Sequence, residues 1–568
     1  MQPNNSKTAN SPHGGGLRGA DMRRQSSLFE GRFGRIFREL PAAVHDRNML
    51  IQLGEDMTAE PERDPHNHKL PAAAVETADH IQDDEENPGI DAGYTYFGQF
   101  IDHDITFDPV SSLMQQNDPD SLVDYRTPRL DLDSLYGRGP ADQPYLYKDN
   151  KFRLGSALKY DKKASPSRDL PRFLDTENGD APTRALIGDK RNDENVIVSQ
   201  LHGLFMKFHN AMVDKLGKHA TFEDAQRMVR WHYQYLVIND YLPRICGLEM
   251  VDSILPYRQH ESGKSVSDLK PKLDFFHWRN DPFMPLEFSV AAFRFGHSMV
   301  RPIYRLNTEL DDGEIPGKKA TKAERERGLA GRFFIFAGVS HRALNGFGKF
   351  PKEWAIDWSL FFDMRGSQTV GGSKRCQPSY KIDTSLTNPL GFLPEFSQTK
   401  AIEGMKPPFT IVQMQGKPKD KAHNPANLAV RNLLRGLSLQ MPCGQDVARA
   451  MGVPVIAHEN LRIGKAIVDE WGKAKKLDAA FKDNAPLWYY ILAEAHYEWQ
   501  KRATTNGSKG NEEPVYLGPV GGRIVAETLI GLIYGDGHSY LRQDPKWEPM
   551  IGGHGLTMGK MIEFALGI

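Results

Sequence analysis

The tripeptide Asp102-His103-Asp104 lies inside an aromatic and apolar run that extends from Tyr96 to Phe107. Burying a charged side chain is costly unless it is paired with an opposite charge or bound to a metal ion. An imidazole, whose ordinary pKa is near about 6.5, can accept and return a proton at neutral pH. A solvated turn is the alternative, but the apolar flanks favour a buried site in which each polar side chain has a partner.

Oxygen-bearing side chains recur a short distance along the chain. Thr127, Asp131 and Asp133 alternate with other residues whose backbone carbonyls are also available. Hard cations such as Ca²⁺ bind about six to eight oxygen atoms from carboxylates, hydroxyls and carbonyls. The segment lacks the EF-hand pattern and could equally be an acidic turn. Asp104 could complete the charge balance of a cation site.

Arg191 lies in a polar segment, 188–195, directly before a long helical pattern. Asn192 or Asp193 is predicted to cap that helix, and acidic residues suit the first helical turn. This structural role accounts for Asp193 and Glu194. It does not explain Arg191, which is therefore a candidate functional residue.

His297 follows the apolar stretch 285–292. A histidine on an apolar helix is more often a hydrogen-bonded core residue than a metal ligand. The adjacent Gly296 has no side chain and would let a flat group approach the backbone. Farther along, Asn432 and Arg435 are three residues apart and share one helix face, which by itself is typical of a solvated surface.

These five segments, in this order, resemble the animal-type haem peroxidases of the peroxidase–cyclooxygenase superfamily. The resemblance extends from about residue 28 to residue 560. It is closest to the bacterial branch of the family, whose members have a segment similar to 518–527. The resemblance implies two cofactors: haem b, derivatised through ester links to the protein, and Ca²⁺.

The resemblance also implies a role for each motif. The catalytic residues on the distal face of the haem would be His103, Gln99 and Arg191. His297 would be the proximal ligand of the haem iron. The other implied haem contacts are Asp102 and Glu194 as ester-forming carboxylates, Asn432 as the partner of His297, and Arg294 and Arg435 near the propionates. The implied calcium ligands are Asp104, Thr127, the Arg129 carbonyl, Asp131 and Asp133.

One departure from the family concerns Asn195. It stands where one mammalian member has a methionine that is joined to haem through sulfur. Asparagine cannot form that bond, so we expect this third covalent link to be absent.

Apolar periodicity predicts long helices, whereas strand-like alternation is rare. The predicted helices are 195–216, 222–248, 286–301, 426–441, 459–474, 484–503 and 520–534. The predicted fold is mainly α, a single large haem-peroxidase helical domain over 26–568 with very little β-structure. Long loops with short helices are expected at 41–95 and 108–185, and disorder at 1–25.

Residues 28–40 place apolar side chains at helical spacing with arginines opposite. Such a segment can lie in a membrane interface as an amphipathic helix. It can also be an entry segment packed on the main domain, which is the reading we favour.

The composition excludes several classes of function. The 568 residues carry a formal net charge of −1 with a pI near 7.0, so no nucleic-acid partner is expected. Three widely spaced cysteines predict neither a disulfide framework nor a zinc site. No transmembrane run or secretory signal is visible, which predicts a cytoplasmic protein or one exported without such a signal. A monomer is favoured.

The function predicted is that of a haem peroxidase that uses H₂O₂ to oxidise small aromatic donors, halides or thiocyanate, in keeping with a response to oxidative stress. A fatty-acid dioxygenase of the same superfamily is an alternative. Cyclooxygenases place a radical-forming tyrosine three residues before the proximal histidine, where this chain has Arg294. A non-enzymatic haem-binding protein is the second alternative, which the presence of His103, Arg191 and His297 disfavours.

Overall fold

Helices dominate the fold, as the sequence predicts. The computed structural model describes residues 31–59, 85–107, 123–158, 166–173, 184–256, 269–307, 314–315, 318–319, 332–335, 344–365, 367, 375–393, 425–505 and 512–568. The predicted disorder at 1–25 lies outside these ranges. The strands are short, so the prediction of a mainly α fold with little β-structure is confirmed.

The α-helices surround a continuous apolar core. They run Arg47–Asp56, Ala92–Ile105, Asp133–Tyr136, Val196–Leu216, Phe222–Leu236, Leu242–Cys246, Leu248–Ile254, Leu428–Ser438, Gly444–Met451, Leu487–Thr505, Pro519–Gly535, Tyr540–Gln543 and Met558–Leu566. Among the described residues, no helix is both long enough and apolar enough to cross a bilayer.

The strands form small sheets at the edges of the helical core. The largest has three strands, in which Gly31–Gly34 pairs antiparallel with Val123–Asp124 and parallel with Met284–Pro285. The remaining sheets are antiparallel pairs: Tyr147–Lys148 with Lys151–Phe152, Glu86–Asp91 with Pro378–Tyr380, Ile303–Arg305 with Arg332–Phe334, Glu314–Ile315 with Lys318–Lys319, and Arg462–Ile463 with Lys475–Lys476.

The Ala92–Ile105 helix passes through the centre of the core. It buries 12 of its 14 residues, so it lacks the polar face by which a surface helix is recognised in sequence. It packs against the Val196–Leu216 helix, where the Phe100 and Phe205 rings stack with centroids 4.6 Å apart. Gly98 permits another close contact, because a Cβ there would lie 2.4 Å from the Tyr241 hydroxyl.

The segment 28–40 is not helical in its described part. It begins with the Gly31–Gly34 strand, so the helix suggested by its apolar spacing is wrong. Sheet pairing replaces helical hydrogen bonds there, and the amides of Ile36 and Phe37 donate to the buried Glu287 carboxylate at 3.0 and 3.1 Å. The favoured reading, an entry segment packed on the main domain, is confirmed.

The helix predicted over 459–474 is also wrong. The chain there forms a 3₁₀ turn at His458–Asn460, the Arg462–Ile463 strand and a second 3₁₀ turn at Val468–Glu470. The Thr384 hydroxyl explains part of this conformation, because it accepts from the Gly464 amide at 2.9 Å. A distant residue thus satisfies backbone groups that a helix would have paired locally.

The predicted helix over 286–301 has a different local geometry. A π turn, Glu287–Ala291, is followed by a 3₁₀ turn, Ala292–His297. The two turns meet at Ala291, whose φ of −125° is outside the helical range. The other predicted helices are present, although a π turn at Val237–Tyr241 interrupts the one over 222–248.

Candidate active site

A cavity of about 530 Å³ lies between the Ala92–Ile105 helix and the Ala292–His297 turn. It is within the size range of cofactor sites. The predicted site residues that line it are Gln99, Asp102, His103, Arg191, Glu194, Arg294 and His297. Gly296 leaves the wall beside His297 open, because an added Cβ would meet nothing within 4 Å. The structure therefore brings together residues that are almost 200 positions apart in the sequence.

His103 occupies one wall of the cavity, near the end of its helix. Its Nδ1 lies 2.9 Å from the Asn192 Oδ1, which can only accept, so the ring nitrogen donates. Burial, followed by the charge of Arg191, lowers the pKa of His103 to about 4. The imidazole is therefore neutral at neutral pH, and Nε2 is the nitrogen left for a ligand in the cavity.

Arg191 lies beside His103 and is held by an ion pair. Its Nη2 is 2.8 Å from the Asp189 Oδ2 and 2.9 Å from the His103 carbonyl oxygen. Burial would raise the pKa of Asp189, but Arg191 and Arg126 outweigh burial and hold that pKa well below its usual range. Our sequence reasoning missed Asp189, although a carboxylate two residues before the candidate arginine was a usable signal.

Gln99 connects two residues at the start of the Val196–Leu216 helix. Its Nε2 donates to Glu194, and its Oε1 accepts from the Asn195 amide nitrogen at 3.2 Å. Asn195 is the helix N-cap, since its Oδ1 accepts from the amide of Val198 at 2.9 Å. The prediction of a cap at Asn192 or Asp193 is therefore wrong, because both belong to the preceding 3₁₀ turn, Lys190–Asp193.

The two carboxylates assigned to haem esters both line the cavity. Asp102 accepts from the Thr106 hydroxyl at 3.0 Å and is one residue before His103. Glu194 comes from the segment that also supplies Arg191. Both carboxylates are thus on elements that contribute other residues to the same cavity.

His297 lies on the wall formed by the 3₁₀ turn Ala292–His297. Burial, followed by Arg294, lowers its pKa to about 3, so the ring is in the neutral form that binds metals. Its Nδ1 is 2.8 Å from the Asn432 Nδ2. A neutral histidine that binds iron through Nε2 carries its proton on Nδ1, and this nitrogen then needs a hydrogen-bond acceptor. Iron binding therefore requires the Asn432 amide to turn over, so that its oxygen faces the ring.

The two arginines assigned to the propionates differ in position. Arg294 lines the cavity, with its Nη1 3.3 Å from the Asn432 Oδ1 and its Nε 3.0 Å from the Ser289 carbonyl. Arg435 is one helical turn after Asn432 and does not belong to the described lining of the cavity.

A cluster of three carboxylates lies behind His103. One carboxylate oxygen from each of Asp104, Asp131 and Asp133 lies within 4.8 Å of the corresponding oxygens of the other two. Burial, then Asp131 and Asp133, raise the pKa of Asp104 well above its usual range. The Thr127 hydroxyl donates to Asp131 at 2.9 Å and belongs to the same cluster. Leu132, with a φ of 58°, turns the backbone between two of the carboxylates.

Two arginines border this cluster. The Arg129 side chain forms an ion pair with Asp536 at 3.0 Å, so a ligand from this residue would have to be its carbonyl oxygen. Arg126 donates to Asp133 at 3.4 Å and to Asp189 through its Nε at 3.0 Å. The carboxylate cluster is thus connected to Arg191 through Arg126 and Asp189.

Parts of this chain are similar to known proteins. The sequence model of the animal haem peroxidase family matches residues 111–365. The chain is 30% identical to thyroid peroxidase of Homo sapiens over 128 residues, which is 21% of this chain and 12% of that protein. It is 29% identical to a peroxidase-like protein of Margaritifera margaritifera over 136 residues, 23% of this chain and 16% of that protein. The chain thus spans less than a fifth of the length of these relatives.

The fold has a counterpart among solved structures. Peroxidase A from Dictyostelium discoideum aligns with a TM-score of 0.50 and 14% identity, covering 88% of this chain and 89% of that one. The matched segment 111–365 includes Arg191, Glu194 and His297, whereas His103 and Asn432 lie outside it. Residues 111–365 therefore match the animal haem peroxidase family, and the helical fold of the chain is similar to that of a solved peroxidase.

Proposed function

We propose that this protein is a haem peroxidase that reduces H₂O₂ with electrons from small aromatic donors, halides or thiocyanate. One observation carries the proposal: a single cavity is lined by a neutral His103 beside Arg191 on one wall and by a neutral His297 on another. A proton acceptor, a fixed positive charge and a metal ligand are the three groups that peroxide cleavage on haem requires.

The cavity fits haem in both size and chemistry. His297 would bind the iron, and the open wall at Gly296 leaves room for the flat macrocycle. Asp102 and Glu194 would form ester links, and Arg294 offers a cation to a propionate. When bound, haem supplies the redox chemistry that protein side chains lack.

Two residues of the chain would then transfer protons and stabilise negative charge. His103 accepts a proton from H₂O₂ at Nε2 and returns it to the oxygen that leaves as water. Arg191 offsets the negative charge that develops as the O–O bond breaks. In the overall reaction, H₂O₂ and two donors, each losing one electron and one proton, give two waters and two donor radicals. With a halide, H₂O₂, the halide and one proton give hypohalous acid and water.

Calcium is the cation that we propose for the carboxylate cluster. Its donors would be Asp104, Asp131, Asp133, the Thr127 hydroxyl and the Arg129 carbonyl. The donor set is entirely oxygen, which suits a hard cation. A bound cation would neutralise like charges that otherwise repel one another beside His103. It would also fix the end of the helix that carries this residue.

A fatty-acid dioxygenase remains the second candidate because of two phenols. Tyr96 and Tyr241 both line the cavity, although the position three residues before His297 is Arg294. Either tyrosine could supply the radical that such an enzyme needs. Oxygen uptake with linoleate in the absence of peroxide would support this candidate.

An absorption spectrum of the haem-loaded protein, recorded before and after addition of H₂O₂, tests the proposal. We expect a Soret band that changes on mixing and returns when phenol, iodide, bromide or thiocyanate is added. His297→Ala should lose the haem or displace the Soret band. A haem-loaded protein whose spectrum does not respond to H₂O₂ would instead support a non-enzymatic haem-binding role.

A further inference from the structure

Two buried side chains behind His103 have no part in the function proposed above. Asn192 lies on the Lys190–Asp193 turn, and His202 lies on the Val196–Leu216 helix. The Asn192 Oδ1 is 2.9 Å from the Nδ1 of His103, and its Nδ2 is 3.0 Å from the Nδ1 of His202. One amide group therefore joins two imidazole rings, of which only one reaches the cavity.

The chemistry of an amide relates the protonation of the two rings. The Asn192 oxygen can only accept, so His103 carries its proton on Nδ1. The Asn192 nitrogen can only donate, so the Nδ1 of His202 is without a proton. If His202 presented a proton at Nδ1, the amide would turn over, and neutral His103 would carry its proton on Nε2 instead. The tautomer of His202 thus selects the tautomer of His103.

His202 is difficult to explain as a stabilising residue. The residue is 1% exposed, and within the described part of the chain its Nε2 has no hydrogen-bond partner. Leaving a buried polar atom unsatisfied lowers stability, which a leucine would avoid. His209 on the same helix differs, because its Nδ1 is 3.0 Å from the Tyr136 hydroxyl and its Nε2 is 2.8 Å from the Asn150 carbonyl.

We propose that Asn192 and His202 are positioning residues for the reaction with H₂O₂. Together they keep the proton of neutral His103 on Nδ1, which leaves Nε2 as the atom that accepts the proton of the peroxide. This inference rests on the proposed peroxidase function and names two further residues on which the proton transfer depends.

The test compares the haem-loaded wild type with His202→Leu. Cyanide is the probe, because HCN must give up its proton when it binds ferric haem. We expect His202→Leu to bind cyanide about tenfold more weakly and to react with H₂O₂ about tenfold more slowly, with the KM for the electron donor unchanged. Stability against urea should be close to that of the wild type, because the variant removes the unpaired Nε2 of His202 but leaves the Nδ2 of Asn192 without its acceptor. His202→Asn, which retains an acceptor near the position of Nδ1, should restore most of the cyanide affinity.

Asn192→Leu removes the link without changing the helix and should cause a similar loss. In the double variant the losses should not add, because both substitutions interrupt one connection. His209→Leu is the matched control, and it should be less stable but bind cyanide as the wild type does.

Either of two results would overturn this inference without affecting the peroxidase proposal. The first is wild-type cyanide affinity in His202→Leu, and the second is additive losses in the double variant. A wild type that binds haem but responds neither to cyanide nor to H₂O₂ would overturn the peroxidase proposal as well, so the two failures are distinguishable.

Discussion

Asp189 and Arg191 are two residues apart and form an ion pair in which the Arg191 Nη2 is 2.8 Å from the Asp189 Oδ2. The same guanidinium donates to the carbonyl of His103 and lies 4.6 Å from the centroid of the Phe107 ring. The side chain is thus held on three sides while it lines the cavity. We infer that Asp189 sets the position of Arg191.

Asp189→Asn should slow the reaction with H₂O₂ by about tenfold to a hundredfold, because Arg191 would lose its anchor while keeping its charge. The measurement is the single-turnover rate constant at neutral pH. Asp169→Asn breaks another buried ion pair, with Arg172, and should lower stability without slowing this step. Equal rate constants for Asp189→Asn and the wild type would refute the positioning role.

The reaction with H₂O₂ should have an acid limb near pH 4. His103 has a pKa of about 4, lowered chiefly by burial and then by Arg191, so it is neutral and able to accept a proton above that pH. As the pH falls through 4, protonation removes the free lone pair and the rate constant should fall. Rate constants measured between pH 3.5 and 8, roughly the range over which a shifted or an ordinary histidine titrates, test this. A fall in the rate constant near the ordinary histidine value of about 6.5 would contradict this assignment. In His103→Gln, the fall that is due to protonation of this side chain should be absent.

Calcium should stabilise the protein. A cation that binds only the folded state at about 100 times its dissociation constant adds about 2.7 kcal/mol. We expect elemental analysis to find calcium in the purified protein, and prolonged chelation to lower both the melting temperature and the activity. Asp131→Asn should reproduce the effect, whereas Asp142→Asn at an exposed ion pair should not. A protein that is purified without calcium and whose melting temperature does not change when calcium is added would exclude a calcium site at the carboxylate cluster.

Haem should remain with the polypeptide in acidified organic solvent. Asp102→Asn and Glu194→Gln each replace one carboxylate that lines the cavity by an amide of the same shape. The single variants should keep one covalent link, and the double variant should release all of its haem. Mass spectrometry of the intact chain measures the attached haem directly. Full extraction from the wild type would show that neither ester forms.

The mainly α fold could be predicted from the sequence because the signals of most of its helices are local. Apolar periodicity located the Val196–Leu216 and Leu487–Thr505 helices, whose spacing differs from that of strands. Apolar periodicity did not predict the central Ala92–Ile105 helix, because that helix is buried on every side and has no polar face. Periodicity predicted a helix over 459–474 that does not form, because the distant Thr384 hydroxyl accepts a hydrogen bond from the backbone of this segment.

The site was predictable only in part for a related reason. His103, Arg191 and His297 stand out by residue type within apolar or unexplained surroundings. Asn192 and His202 look ordinary in sequence, and their roles become apparent only from contacts such as the one between Asn192 and His103, 89 positions apart. Pairwise contacts of that kind cannot be derived from the periodicity of one chain.

The tripeptide 102–104 illustrates how little room this region has for change in length. Successive residues of an α-helix are rotated by about 100°. Asp102 and His103 line the cavity, while Asp104 lies in the carboxylate cluster. Inserting or deleting one residue earlier in the Ala92–Ile105 helix would turn all three side chains together and give each of them the wrong neighbour. We therefore expect related chains to vary freely in the identity of the surrounding apolar residues and to keep the number of residues in this helix fixed.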